Sequence, residues 1–208
     1  MNTATPTNDI TGVILAGGKA RRMGGEDKGL ITLQGKPVID YIITALEPQV
    51  GNLLINANRN PEQYGTSGLP VVADMLGDYF GPLVGMATGM HTTDKPYIVT
   101  VPCDSPFIPD TLVETLYRTL DDDQAEISVA HDGKRMQPVF ALLRCELLPS
   151  LLSYLDEGGR KIDTWYSQHH LALADFSGTP DTFMNLNTPE DRLALETRIT
   201  GRQTDTAT

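Results

Sequence analysis

Cationic side chains and glycines are concentrated together near the start of this chain. The stretch Leu15-Ala16-Gly17-Gly18-Lys19-Ala20-Arg21-Arg22-Met23-Gly24-Gly25-Glu26-Asp27-Lys28 joins an apolar run to a glycine-rich loop that carries Lys19, Arg21, Arg22 and Lys28. Glycine permits left-handed turns and lets backbone N–H groups approach phosphate oxygens closely. The segment therefore reads as a polyphosphate cradle, with Arg22 and Lys28 as the full charges that meet a triphosphate. It has neither the G-x-x-x-x-G-K-[ST] of a P-loop nor the G-x-G-x-x-G of a dinucleotide site. Farther on, Asn56, Asp74 and Asp104 each stand at the end of an apolar, β-rich run, where an amide or carboxylate is available to a ligand.

The elements that must position these groups alternate. Gly12–Ala16, Leu53–Ala57, Val71–Ala73 and Tyr97–Val101 read as strands, the last of the continuous apolar kind found in buried parallel sheets. Between and after them, Val38–Leu46 following Pro37, Leu83–Met90 opened by Gly81-Pro82, and Pro109–Leu120 have helical spacing. This is the pattern of an α/β fold with a doubly wound, mostly parallel sheet, in which ligands bind beyond the carboxyl ends of the strands. A glycine loop, an amide and two carboxylates thus fall on one rim. The second half predicts strands at Ile127–His131 and Val139–Leu143 around an Asp132-Gly133 turn, then helices over Glu146–Asp156 and Lys161–Gln168. Thr188 is placed to cap a helix opening at Pro189. Residues 1–9 are expected to form a flexible N-terminus, 10–199 a single domain, and the Thr-rich 200–208 a disordered tail.

Composition narrows the partners. With 208 residues, 40% hydrophobic and 21% charged, the chain can bury a full core. No apolar run approaches the roughly 20 residues that span a bilayer, and Met1–Asp9 lacks the basic start and apolar middle of a secretion signal, so a cytoplasmic protein without a membrane partner is expected. A net charge of −11 argues against nucleic acid, so an anionic ligand must be held by local charge. Cys103 and Cys145 are too few for a disulfide framework and wrongly spaced for zinc, and are read as reduced thiols, with a minor claim for Cys103 as an oxidation sensor beside Asp104. His91, His131, His169 and His170 lack metal-ligand spacing. Arg160 and Lys161 follow Gly158-Gly159 either as a charged helix start or as a reach toward an anionic phosphate.

Taken with Gly81-Pro82-Leu83, Pro102-Cys103-Asp104-Ser105-Pro106 and Asn185-Leu186-Asn187-Thr188-Pro189-Glu190, the first loop closely resembles that of the bacterial molybdenum cofactor guanylyltransferases, and the resemblance runs from about Thr11 to Leu195. It implies a three-layer α/β/α nucleotidyltransferase fold of the nucleotide-diphospho-sugar transferase kind. It also implies transfer of GMP from GTP to the terminal phosphate of molybdopterin cofactor, giving the guanine dinucleotide form and pyrophosphate. Carried over position by position, it implies GTP contacts from Leu15, Ala16, Gly17, Gly18, Lys28, Asn56, Asp74 and Asp104, with Asp104 also on Mg2+, Arg22 at the outer phosphates, and Asn185 and Asn187 on the pterin side. Lys28, Asp104 and Arg22 are then the catalytic set. Gly17 follows the guanine-using pattern where related cytidylyltransferases commonly read Leu-Ala-Ala-Gly, whereas Asp27-Lys28 departs from the Pro-Lys that ends the longer loop of sugar-nucleotide enzymes.

Such chemistry is an in-line displacement dominated by positioning and charge stabilisation. The acceptor phosphate, with a second pKa of about 6, is itself the nucleophile. Neither a protein nucleophile nor a general base is needed, in keeping with the motifs present. Two alternatives share many of these residues: a cytidylyltransferase acting on molybdopterin or on a sugar or polyol phosphate, and a non-catalytic GTP-binding module. Retention of both Lys28 and Asp104 disfavours the module. The lability of the cofactor points to contacts with cofactor-inserting proteins and molybdoenzyme apo-forms.

Overall fold

Apolar alternation along the first strand decides how the chain layers. In the computed structural model, which describes residues 5–16, 27–77 and 81–205, β1 (Ile10–Leu15) is buried along its whole length. Ile10 and Ile14 face one side, while Val13 and Leu15 face the other. It lies between β4 (Asn52–Asn56) and β6 (Tyr97–Pro102), parallel to both. With β5 (Val71–Val72), β7 (Ile127–His131), β8 (Met136–Arg144) and β9 (Leu171–Asp175), these form a seven-stranded sheet in the order β5-β4-β1-β6-β8-β7-β9. Only β8 runs against its neighbours β6 and β7. A small antiparallel hairpin, β2 (Thr32–Leu33) with β3 (Lys36–Pro37), stands apart.

Both faces are covered, as burial of a parallel sheet demands. One core contains Val38, Ile39, Ile42 and Leu46 of α1 (Val38–Leu46), Leu112, Leu116 and Leu120 of α4 (Leu112–Asp122), and Leu195 and Ile199 of α7 (Pro189–Asp205). The other contains Leu83, Val84, Met86, Ala87 and Met90 of α3 (Pro82–Thr92), Leu151 and Leu155 of α5 (Leu148–Asp156), and Trp165 and Tyr166 of α6 (Ile162–Tyr166). Helix α3 lies directly on β1 through Gly85 and Gly89, one turn apart on a shared face. A Cβ at Gly89 would sit 2.7 Å from Val13, and one at Gly85 2.7 Å from Leu15.

The expected three-layer α/β/α sandwich is thus observed, with local corrections. Helix α4 starts at Leu112 because Pro109 is spent in a preceding turn, its carbonyl accepting from Leu112 N–H. Cys145–Leu147 forms a separate 3-10 turn before α5, whose second residue is Pro149. The helix expected over Lys161–Gln168 shortens to Ile162–Tyr166, and β9 was not foreseen although its burial alternates. Residues 7–9, expected to be flexible, form a 3-10 turn seated on Gly51, where a Cβ would meet the Asn8 backbone at 2.8 Å. Helix α7 continues to Asp205 instead of ending before Thr200, because Leu195 and Ile199 anchor it in the core and Gln34 donates to Thr200 Oγ1 at 2.9 Å.

Candidate active site

The topology reverses at β1: the chain moves outward through β4 and β5, then returns to place β6 on the other side. At such a switch point the two loops diverge and leave a crevice beyond the carboxyl ends. The register sets the three strand ends level, Leu15 beside Asn56 on one side and Pro102 on the other. Ala16 N–H continues the ladder to the Asn56 carbonyl at 2.8 Å, and Cys103 N–H to the Leu15 carbonyl at 3.1 Å. Asn56, Leu15-Ala16 and Asp104 therefore share one rim.

Lys28 enters this rim from a 3-10 turn, Lys28–Leu30, that follows Asp27. Its ammonium donates to Asp104 Oδ2 at 2.9 Å and to Asn187 Oδ1 at 2.5 Å. The Lys28 and Asp104 side chains are 26% and 15% exposed, so the pair is partly shielded yet reachable from solvent. The turn packs tightly from below. A Cβ at Gly29 would fall 2.8 Å from the Tyr64 hydroxyl and 3.3 Å from Cys103 Cβ. Tyr64, on α2 (Pro61–Gly65), is 1% exposed, and its hydroxyl makes no well-formed hydrogen bond among the described residues.

Burial dominates the electrostatics beneath Lys28. It raises the carboxyl of Asp27 above the usual range, an effect the neighbouring Tyr64 hydroxyl, the Asn60 amide at 3.3 Å and the Arg59 charge offset only partly. The Cys103 thiol is pushed up first by burial, then by the Asp104 and Asp27 carboxylates. A thiol held neutral and buried is a poor nucleophile, so the oxidation-sensor reading of Cys103 is set aside.

On the other flank, a carboxylate is held by two carboxamides. Asn56 Nδ2 donates to Asp74 Oδ1 at 2.9 Å and to the Val72 carbonyl at 3.2 Å. Asn58 Nδ2 donates to Asp74 Oδ2 at 2.6 Å, while Asp74 N–H returns a bond to Asn58 Oδ1 at 2.7 Å. Each Asp74 oxygen keeps a lone pair for a further donor. Asn56 is 3% exposed and fits only because Gly85 lacks a side chain: a Cβ there would lie 2.4 Å from Asn56 Oδ1. Sequence alone places Asn58 at the end of the second strand run without a role of its own, and gives Gly85 none. The first resembled a turn residue after a strand, and the second one more glycine in a helix.

The far end of the chain completes the rim. Leu186 N–H donates to the Asp104 carbonyl at 2.9 Å and its side chain is fully buried, fixing the segment between two outward-facing asparagines. Asn185 Oδ1 accepts from Ser105 Oγ at 2.5 Å, and Asn187 Oδ1 accepts from Lys28. The structure thus brings Leu15, Ala16, Lys28, Asn56, Asp74, Asp104, Asn185 and Asn187 to the strand ends. Gly17, Gly18 and Arg22 lie outside the described residues. Arg160 folds onto its own loop, donating to the Leu155 and Gly159 carbonyls at 2.8 and 2.6 Å. His169 is part of the far-side packing, with Nε2 3.0 Å from Ser150 Oγ and its ring edge-on to Trp165.

Comparison with known proteins agrees with this geometry. Residues 12–172 match the model of the MobA-like NTP transferase domain. The chain is 50% identical over 190 residues to a molybdenum cofactor guanylyltransferase of Shewanella sediminis, covering 91% of this chain and 97% of that protein. It is 48% identical over 189 residues to its counterpart in Shewanella halifaxensis, covering 91% and 94%. Among solved structures, molybdopterin-guanine dinucleotide biosynthesis protein A from Archaeoglobus fulgidus shares the fold, with a TM-score of 0.75 and 19% identity over 92% of this chain and 99% of that one. A nucleotidyltransferase sandwich, a cation and a carboxylate meeting at its switch point, and half-identical relatives aligned almost end to end place this chain in the molybdenum cofactor guanylyltransferase family of MobA-like NTP transferases.

Proposed function

We propose that this chain transfers GMP from GTP to the terminal phosphate of molybdopterin cofactor, releasing pyrophosphate, with Lys28 and Asp104 at the reacting phosphates. The observation that carries the assignment of roles is the meeting of these two side chains, one from the turn Lys28–Leu30 and one from the end of β6, at 2.9 Å. Bringing two anions together is the obstacle in this reaction, and preorganised charge in a partly shielded crevice lowers it. Lys28 neutralises charge that develops on the departing pyrophosphate. Gly17, Gly18 and Arg22 cradle the triphosphate, and Leu15-Ala16 line the nucleoside.

Asp74 accepts from N–H groups of guanine, its orientation fixed by Asn56 and Asn58. Asn185 and Asn187 face the acceptor. Their oxygens are taken by Ser105 and Lys28, which turns the amide N–H groups outward toward an anion.

The residues fit Mg2+. With Oδ2 on Lys28, Asp104 keeps Oδ1, which Ser105 Oγ reaches only at 3.5 Å. One carboxylate together with substrate phosphates and waters is the usual protein share of a magnesium site in phosphoryl chemistry. Held by Asp104, the ion would supply positive charge that offsets the negative charge of the phosphates. Among the described residues no helix is long and apolar enough to cross a membrane. We place the reaction in the cytoplasm, with hand-over of product to cofactor-inserting proteins or apo-enzymes.

The test is magnesium-dependent pyrophosphate release by the purified chain supplied with molybdopterin cofactor, run with GTP and CTP in parallel. Release with GTP alone is expected. Release with CTP keeps the mechanism but overturns the base, and release with neither overturns the assignment.

A further inference from the structure

The contact between Lys28 and Asn187 spans 159 residues of sequence and joins a lysine in the first fifth of the chain to a loop before the last helix. Lysine is a long, flexible cation, and its ammonium has to be aimed to act as an electrostatic partner. Two of its three N–H bonds are committed, one to Asp104 and one to Asn187, which leaves a third for a phosphate oxygen. Asp104 is also the carboxylate we assign to magnesium. Asn187 is then the uncharged anchor of Lys28, its carboxamide oxygen given to the ammonium.

What holds Asn187 is Asp191. A single oxygen, Asp191 Oδ2, accepts the backbone N–H of Asn187 at 3.0 Å and that of Thr188 at 2.9 Å. Asp191 N–H in turn donates to Thr188 Oγ1 at 3.2 Å. This is a reciprocal cap at the start of α7, extended backward by one residue onto the asparagine that touches the lysine. The extension matters: capping alone needs the Thr188 contacts, whereas the Asn187 bond fixes the peptide from which the carboxamide projects. The segment lies beyond residues 12–172 matched by the domain model.

We propose that Asp191 is a positioning residue for the reaction, holding the peptide of Asn187 so that its carboxamide oxygen aims the Lys28 ammonium at the departing phosphates. The inference rests on the role assigned to Lys28. Asp191 is placed to act through Asn187 and not on the substrate directly. Its carboxylate acts through two hydrogen bonds and one side chain.

A double-mutant cycle tests it, with steady-state pyrophosphate release by Lys28→Ala, Asp191→Ala and the double variant, and melting curves for each. Asp191→Ala is expected to lower kcat on the order of tenfold, the scale of slight misplacement of a reacting group, with little change in KM for GTP. In the Lys28→Ala background it is expected to have no further effect, because the group it positions is gone. Thr188→Ala removes the other half of the cap without touching Asn187, so it should lower the melting temperature and leave kcat unchanged. Asp191→Asn retains an oxygen with two lone pairs and should restore most of the rate.

A cap with no further role predicts the opposite pattern: unchanged kcat in Asp191→Ala, or a loss that multiplies in full with that of Lys28→Ala. Either result overturns the inference while leaving the lysine intact. A near-normal rate in Lys28→Ala overturns the role of the lysine itself and this inference with it. Should Asp191→Ala not fold, Asp191→Ser, whose shorter side chain reaches fewer N–H groups but can still cap, carries the same cycle.

Discussion

Replacing Gly85 by alanine tests whether the nucleoside flank is built as the structure has it. The new Cβ would lie 2.4 Å from Asn56 Oδ1 and 2.7 Å from Leu15 Cδ2, both inside contact distance, so Asn56 has to turn away or α3 has to lift off the sheet. Alanine inside a helix gains about 1 kcal/mol over glycine, and an extra methyl in a packed core costs about 1–3 kcal/mol. The net change in stability is therefore about 0–2 kcal/mol, and the protein remains folded. Function is affected more. A rotated Asn56 loses its bonds to Asp74 and to the Val72 carbonyl, and a hydrogen bond to a charged group contributes about 1.5–3 kcal/mol, which corresponds to roughly 10–100-fold in kcat/KM for GTP. The assay is pyrophosphate release across GTP concentrations, with melting curves in parallel. Gly89→Ala is the control, because it overlaps Val13 at 2.7 Å on the same helix face and sits one turn away from Gly85. It should lose stability and keep its KM for GTP. If Gly85→Ala leaves kcat/KM unchanged, or if Gly89→Ala lowers it equally, the coupling of Gly85 to the nucleoside pocket is refuted.

Lys28→Ala or Asp104→Ala should each lower turnover by on the order of a hundredfold, the scale of losing one preorganised electrostatic partner, and a near-normal rate in either removes that residue from the chemistry. Asp27→Asn should raise the melting temperature at neutral pH. Burial sets the carboxyl of Asp27 above 3.8 in the folded state, so the folded protein binds the extra proton. Stability attributable to this group is therefore greatest below its unfolded pKa and is lost as pH rises through the folded value. Melting curves from pH 3 to 7.5 should show the difference between wild type and variant growing with pH. A constant difference would show that Asp27 ionises without penalty. Cys103, buried and with its thiol raised, should stay unmodified by iodoacetamide in the folded protein and react on denaturation, as peptide mass spectrometry would reveal.

Much of the fold could be read from the residues because the relevant signals are local. Val38–Leu46 forms the helix its apolar spacing after Pro37 announces, and the strand ends that carry Asn56, Asp74 and Asp104 share a rim because three apolar runs stop at polar residues. The rest depends on contacts distant in sequence. No periodicity relates Lys28 to Asn187 or Ser105 to Asn185, so a site role for the two asparagines follows only from the family resemblance. Asn58, at the end of the same strand run as Asn56, carries no distinct role in the sequence because an asparagine after a strand fits a turn equally well, and only the pairing of its amide with Asp74 distinguishes the two. The tail from Thr200, expected to be disordered for its threonine-rich composition, continues α7 to Asp205, while Leu195 and Ile199 dock that helix in the core.

The placement of Asn187 also has a consequence in time. Lys28 leaves the ribosome 159 residues ahead of the side chain that anchors it. At about 5–20 residues per second, that interval is roughly 8–30 seconds of synthesis. During it the lysine has no anchor from the asparagine loop, so its alignment by Asn187 comes late in synthesis.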